Sequence, residues 1–117
     1  PGAMRLREKA RRAKCQNNLK QIYYAISSYR DDHNEQYPDS LDALKDSIDD
    51  FAVFKCPSSA SPTPSTPSGG DYEYRTGLSP ASRSTESLLE DKDANHPEGV
   101  SVLRVGGQVD FQPAGEI

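Results

Sequence analysis

Between residues 15 and 29 apolar side chains recur at steps of four, three, four and three: Cys15, Leu19, Ile22, Ile26 and Tyr29, with Tyr23 and Ala25 beside them. That is the period of one face of an α-helix, and a face so continuous must be covered by something apolar. The stripe fades upstream, where only Leu6, Ala10 and Ala13 remain, so the first turns are expected to project past the body of the domain. A single helix over 5–33 is predicted, about 45 Å long, which is more than one face of a small domain needs. Asp31, Asp32, His33 and Asn34 end it with turn-favouring residues, and Asn34 can take the left-handed conformation of a C-cap.

Whatever covers the stripe has to be small, because hydrophobic residues make up only 33% of the 117. The opening Pro-Gly-Ala-Met reads as a cloning remnant, leaving 5–117 as one domain. Tyr37-Pro38 forces an extended approach to a short second helix over 39–49, whose Leu41, Leu44 and Ile48 make its apolar side. FAVFKCP, 51–57, reads as a short buried segment. Residues 58–70 contain only Ser, Ala, Pro, Thr and Gly, so they are expected to bury almost nothing and to form a mobile surface loop. The remainder, 71–112, reads as a sheet region: DYEYR alternates like a strand, SLLED is a short strand, and VSVLRV and QVDFQ flank Gly106-Gly107, a pair suited to a type I′ hairpin turn. The fold class is α+β, one long N-terminal helix packed on a small antiparallel sheet, with a short second helix.

Charge is unevenly spread. Residues 5–14 hold six bases and one acid, a net +5, so the total of −4 leaves −9 for the rest. A basic arm joined to an acidic body could meet an anionic partner. No aromatic residue interleaves the basic run, so the stacking half of a nucleic-acid site is missing and specific nucleic-acid binding is not expected. No window approaches the ~18 apolar residues of a membrane span. Cys15 and Cys56 form neither a CxxC pair nor a zinc-type spacing with histidine. They stand as two separate buried thiols, or bridge in an oxidising compartment; a bridge would close a loop of about 42 residues and contribute roughly 4 kcal/mol.

The chemistry of catalysis is sparse. There are two histidines, His33 at the helix end beside Asp31 and Asp32, and His96 among Asp91, Asp93 and Glu98. No phosphate loop, nucleophile elbow or HExxH motif accompanies them, and the chain is not expected to be an enzyme. His96 is expected instead to fix the approach to the hairpin by a hydrogen bond to backbone or a nearby acid.

Three segments, in order, resemble one family. REKARRAKCQNNLKQIYYAISSYRDDHNEQYPDSLDAL is similar to the membrane-distal half of the N-terminal helix and following loop of bacterial type IV pilin-like proteins, including the pseudopilins of type II secretion. FKCPS resembles a Phe-x-Cys-Pro segment of their paralogues. The closing stretch resembles their histidine, nine residues, Asp-Gly element: His96 is followed by nine residues and Gly106-Gly107, with glycine in place of the aspartate.

The resemblance implies a structural protomer of a pilus or pseudopilus, anchored in the inner membrane by a segment upstream of Arg5 and exposing its globular domain to the periplasm or cell surface. It implies other protomers as partners, with Arg5, Arg11, Arg12, Leu19, Ile22 and Ile26 on the assembly helix. The basic arm would then meet a neighbour's acidic surface or phospholipid head groups. It also implies an oxidising space, which favours the Cys15–Cys56 bridge. By the same resemblance calcium is the one candidate cofactor, with Glu90, Asp91, Asp93, Asn95 and Glu98 as oxygen ligands, although their spacing matches no EF-hand. The competing reading is an anchored extracytoplasmic module that binds a polysaccharide, a protein or nucleic acid through its loops.

Overall fold

The long helix, α1, runs from Gly2 to Asp32. In this computed structural model the chain is described over residues 2–56, 63–79, 81–91 and 99–113, with side chains over 9–56, 63–79, 81–90 and 101–112. The molecule measures 49 × 32 × 17 Å, so a 31-residue helix, about 46 Å at 1.5 Å per residue, spans its whole long axis. Cys15, Leu19, Ile22, Ala25 and Ile26 are all buried, as the stripe requires. The helix then stops sharply. Asn34 and Glu35 both adopt positive φ (55° and 64°), and the Glu35 N–H donates to Arg30 O at 2.7 Å, which satisfies a carbonyl at the helix end.

Four antiparallel strands form a meander in chain order: β1 (Tyr72–Tyr74), β2 (Ser87–Asp91), β3 (Gly99–Arg104) and β4 (Val109–Pro113). The helix crosses this sheet and closes a core of Leu41, Leu44, Phe54, Tyr72, Leu88, Leu89 and Leu103 with its own stripe. Two successive residues of β2, Leu88 and Leu89, are both fully buried, which an even pleat would forbid. The register explains it: Ser87 pairs with Arg104 and Leu89 with Leu103, so Leu88 is the extra residue of a bulge. In β3 Ser101, Val102 and Leu103 are all buried, consistent with a strand covered on both faces. The α+β architecture is therefore the one the periodicities predict.

Three expectations are corrected. The second helix is a single 3₁₀ turn, Leu41–Leu44, followed by turns rather than an α-helix over 39–49. Its Ser40 side chain makes no cap, and a few residues rich in Asp and Ser cannot sustain α-helical nucleation. The three-residue spacing of Leu41 and Leu44 puts both on one side of a 3₁₀ turn, and both are buried. Next, residues 63–70 bury more than their composition promised. Pro67–Gly69 form another 3₁₀ turn, Pro67 and Gly70 are buried, and Ser68 N–H donates to Asp42 Oδ1 at 2.9 Å. Gly70 is essential to that packing, since a Cβ there would lie 2.1 Å from Phe54 O.

Finally, the hairpin turn is not type I′. Arg104 N–H donates to Gln108 O at 2.8 Å and Gly107 N–H to Arg104 O at 2.9 Å, which makes a three-residue connection, Val105 to Gly107. Only Gly107 has positive φ (94°); Gly106 does not. This is the turn that ends in a left-handed glycine, and its extra residue lets the loop reach α1. His96, Asp93, Asn95 and Glu98 lie outside the described residues.

Gly70→Ala and Gly107→Ala are each expected to destabilise the fold by about 2–3 kcal/mol, through backbone overlap at the first and left-handed strain with a Tyr23 contact at the second. Gly77 also has positive φ (81°) but open space around it, so Gly77→Ala should cost only about 1 kcal/mol. Urea unfolding midpoints would order the three.

Candidate functional site

The helix has two faces, and they do different things. Leu19, Ile22 and Ile26, expected on the assembly helix, are consumed by the protein's own core and are closed to any partner. Arg12 is half-buried, its guanidinium 3.5 Å above the centre of the Phe111 ring, so it ties the upstream helix to β4 by a cation–π contact. Arg11 is exposed, as are Lys9 and Lys14; the Arg5 side chain lies outside the described residues. Ala10, Lys14, Asn17, Gln21, Tyr24 and Ser28 then form a second stripe at steps of four and three, all exposed and roughly opposite the buried one. Tyr24, 65% exposed, is the one large hydrophobic side chain left in solvent among the described residues. It borders a shallow groove of about 470 Å³ whose other wall carries Ser47, Ile48, Asp49, Asp50 and Val53. A basic helix segment and, farther along the same helix, an acidic groove beside an exposed tyrosine thus belong to one molecule.

The Gly-Gly turn rests on α1. A Cβ at Gly107 would lie 2.9 Å from the Tyr23 ring, and Lys20 Nζ donates to Gly107 O. The turn's role is to dock the β3–β4 hairpin on the helix, which the sequence signature alone did not reveal. At the other end of α1, His33 Nδ1–H donates to Tyr29 O at 2.7 Å, and the two rings stack at 3.8 Å. Arg30 donates from Nε to Glu35 O and lies over Tyr37 at 4.3 Å. His33 therefore completes a helix terminus, and among the described residues it belongs to no group of three metal-type ligands.

Of the expected calcium set only Glu90 and Asp91 lie among the described residues. Glu90 is half-buried in β2 opposite Glu73, Asp91 pairs with Tyr72 in the backbone ladder, and the other three residues lie outside the described ones. Among the described residues no three of His, Cys, Asp and Glu converge.

A buried polar cluster was missed from the sequence. Tyr72 donates its hydroxyl to Cys15 Sγ at 3.3 Å. Asn18, one turn along α1, donates from Nδ2 to Lys55 O at 3.1 Å and to the Tyr72 hydroxyl at 3.4 Å. Asp71 accepts the Cys56 N–H at Oδ2, 3.0 Å away, while its own N–H donates to Phe54 O at 2.8 Å. Alternation in DYEYR marked Tyr72 as part of a strand, but its partners lie up to 57 residues away. Burial, with the Cys15 thiol next in importance, pushes the Tyr72 hydroxyl far above tyrosine's ordinary value; burial likewise raises Tyr74, whose hydroxyl donates to Pro38 O at 2.7 Å.

A long helix on a four-stranded antiparallel sheet, with a basic upstream segment and an exposed stripe, defines an α+β scaffold with a single dominant helix. A family model described as "Protein of unknown function (DUF1559)" matches residues 4–42, a third of the chain, and that family is commonly associated with pilin-like, prepilin-type proteins. The matched segment holds the basic run, the whole apolar stripe and Tyr37-Pro38. No curated protein and no solved structure matches the chain. No helix among the described residues is long and apolar enough to cross a membrane.

Tyr72 and Tyr74 make stability fall at high pH. Above the unfolded tyrosine pKa of about 10 the unfolded chain releases protons that the folded chain keeps, so stability is intact below that pH and lost as pH rises beyond it. Tyr72→Phe should lower stability at pH 7 by about 1–2 kcal/mol and flatten the decline above pH 10 by about 1.4 kcal/mol per pH unit, measured by urea unfolding across pH 7–11.

Proposed function

We propose that this chain is the globular part of a membrane-anchored structural protomer that assembles, through its long helix, into a pilus or a type II secretion pseudopilus. In this reading an apolar segment continues α1 upstream into the inner membrane, and the sheet faces the periplasm or cell surface. The protein organises other copies and catalyses nothing. The observation that carries the reading is the division of α1: its downstream half is buried in the protein's own core, while residues 9–14 lay only Arg12 against the sheet and leave Lys9, Arg11 and Lys14 outward. The family match over 4–42 supports it from the side of sequence.

Charge supplies a packing partner for the outward bases. Asp49 and Asp50 line the groove beside Tyr24, with Asp46 exposed close by in sequence, so the upstream helix of one copy and the groove of the next attract each other. The midpoints of the two patches, near residues 12 and 24, are separated by about 18 Å along the helix. Such a head-to-tail contact is heterologous, and repeated with a rotation that closes no ring it gives a filament.

Expressed as its full reading frame in a Gram-negative host, the protein should sediment with membranes and form filaments visible by negative-stain microscopy. Arg11→Glu with Lys14→Glu should leave thermal stability unchanged, since both are exposed, and cut the assembled fraction roughly tenfold, a loss of about 1.4 kcal/mol per contact. Filaments unaffected by this pair would remove the charged contact, and a monomeric full-length protein would remove assembly.

A further inference from the structure

Two buried thiols belong to one core cluster, and each is tied to the same two-residue segment, Asp71-Tyr72. Cys15 receives the Tyr72 hydroxyl at its sulfur, while the backbone of Cys56 is clamped by the carboxylate of Asp71, the residue next to Tyr72 in the chain. Asn18, one helical turn from Cys15, bonds the carbonyl of Lys55, which immediately precedes Cys56, and the same amide nitrogen reaches the Tyr72 hydroxyl. Four hydrogen bonds therefore tie the helix, the segment after Phe51–Phe54 and the start of β1 together beside the two cysteines. Both cysteines are fully buried in one apolar cluster and are thiols in this structure. Both also act on Tyr72: burial first, then the Cys15 and Cys56 thiols, raise its hydroxyl above the ordinary tyrosine value.

We infer that Cys15 and Cys56 are the site of a disulfide that locks the helix to the sheet once the chain folds in an oxidising environment. Each thiol gives up one proton and one electron and Sγ joins Sγ. A disulfide oxidant of the glutathione type accepts both by exchange, its own S–S bond breaks, and it leaves as two thiols. Exchange occurs while the chain is folding, because in the finished protein neither sulfur is accessible. Tyr72 keeps Asn18 as a partner when its bond to the Cys15 thiol is lost. The bridge would close a loop of about 42 residues between α1 and the segment after Phe51–Phe54, and so remove loop-closure entropy from the unfolded chain. Filament assembly outside the cytoplasm would supply the oxidising environment, but the geometry of the pair does not depend on assembly.

The reduced, unfolded 117-residue protein is refolded in a mixture of reduced and oxidised glutathione, unfolded again in N-ethylmaleimide without reductant, digested and examined by mass spectrometry. The expected product is a Cys15 peptide joined to a Cys56 peptide, with neither sulfur alkylated, and a melting temperature roughly 10–20 °C above that of the same protein kept in reductant. Alkylation of both cysteines, or glutathione on either, overturns the inference. A protein that bridges in this buffer yet never assembles leaves the disulfide standing and sinks the filament; a protein that assembles with both cysteines alkylated does the reverse.

Discussion

The face of α1 that carries Cys15, Leu19, Ile22 and Ile26 must leave water, and the side chains that cover it come from nearly every other part of the chain: Leu41 and Leu44, Phe54, Tyr72, Leu88 and Leu89, and Leu103. Each such side chain contributes about 1.5–3 kcal/mol when fully buried. No separate element owns the core. The sheet has one curved apolar side, the loops before it supply the remainder, and the helix is the only surface long enough to gather them. Remove the stripe and the meander has nothing to pack on, because a small sheet with one uncovered face is not stable alone.

Around that apolar seam the polar contacts set position rather than drive folding. Asn18, Tyr72 and Asp71 align the 3₁₀ segment ending at Phe54 with β1, and Lys20 with Tyr23 seats the β3–β4 turn. Arg12 over Phe111 extends the grip of the sheet one turn upstream of Cys15. Beyond Arg12 the described side chains of the helix point to solvent, and the division between a held half and a presented half falls where the apolar stripe ends. In a scaffold of that form one helix serves both as the spine of the domain and as an exposed surface.

Much of this was legible in the chain. The helix, the alternating DYEYR strand and the presence of a hairpin at Gly106-Gly107 followed from period and turn chemistry, because those signals are local. Less legible were the places where a neighbour decided the outcome. Leu41 and Leu44 fit an α-helix or a 3₁₀ turn equally well until the short, Asp-rich segment has to lie against α1. A Ser/Pro/Thr/Gly run looks empty of packing, yet Pro67 and Gly70 are buried because the absence of a side chain at Gly70 lets the backbone touch Phe54. Gly106-Gly107 predicted a two-residue turn; the contact with Tyr23 and Lys20 favours the longer connection. The residues expected on an assembly helix divided likewise, since periodicity marks Leu19, Ile22 and Ile26 as apolar without saying that the protein's own core covers them.

By itself the sequence determined that one long helix with a single apolar face would pack on a small antiparallel sheet, and that bases would crowd its upstream end. Those features depend on spacing along the chain, and spacing survives in the letters. Only the tertiary structure decided that Cys15, Asn18, Tyr72 and the backbone of Cys56 share one buried polar cluster, and that Tyr24 stands exposed beside an acidic groove. Such arrangements are set by which distant segments meet, and a hydrogen bond across 57 residues leaves no period in the sequence to read.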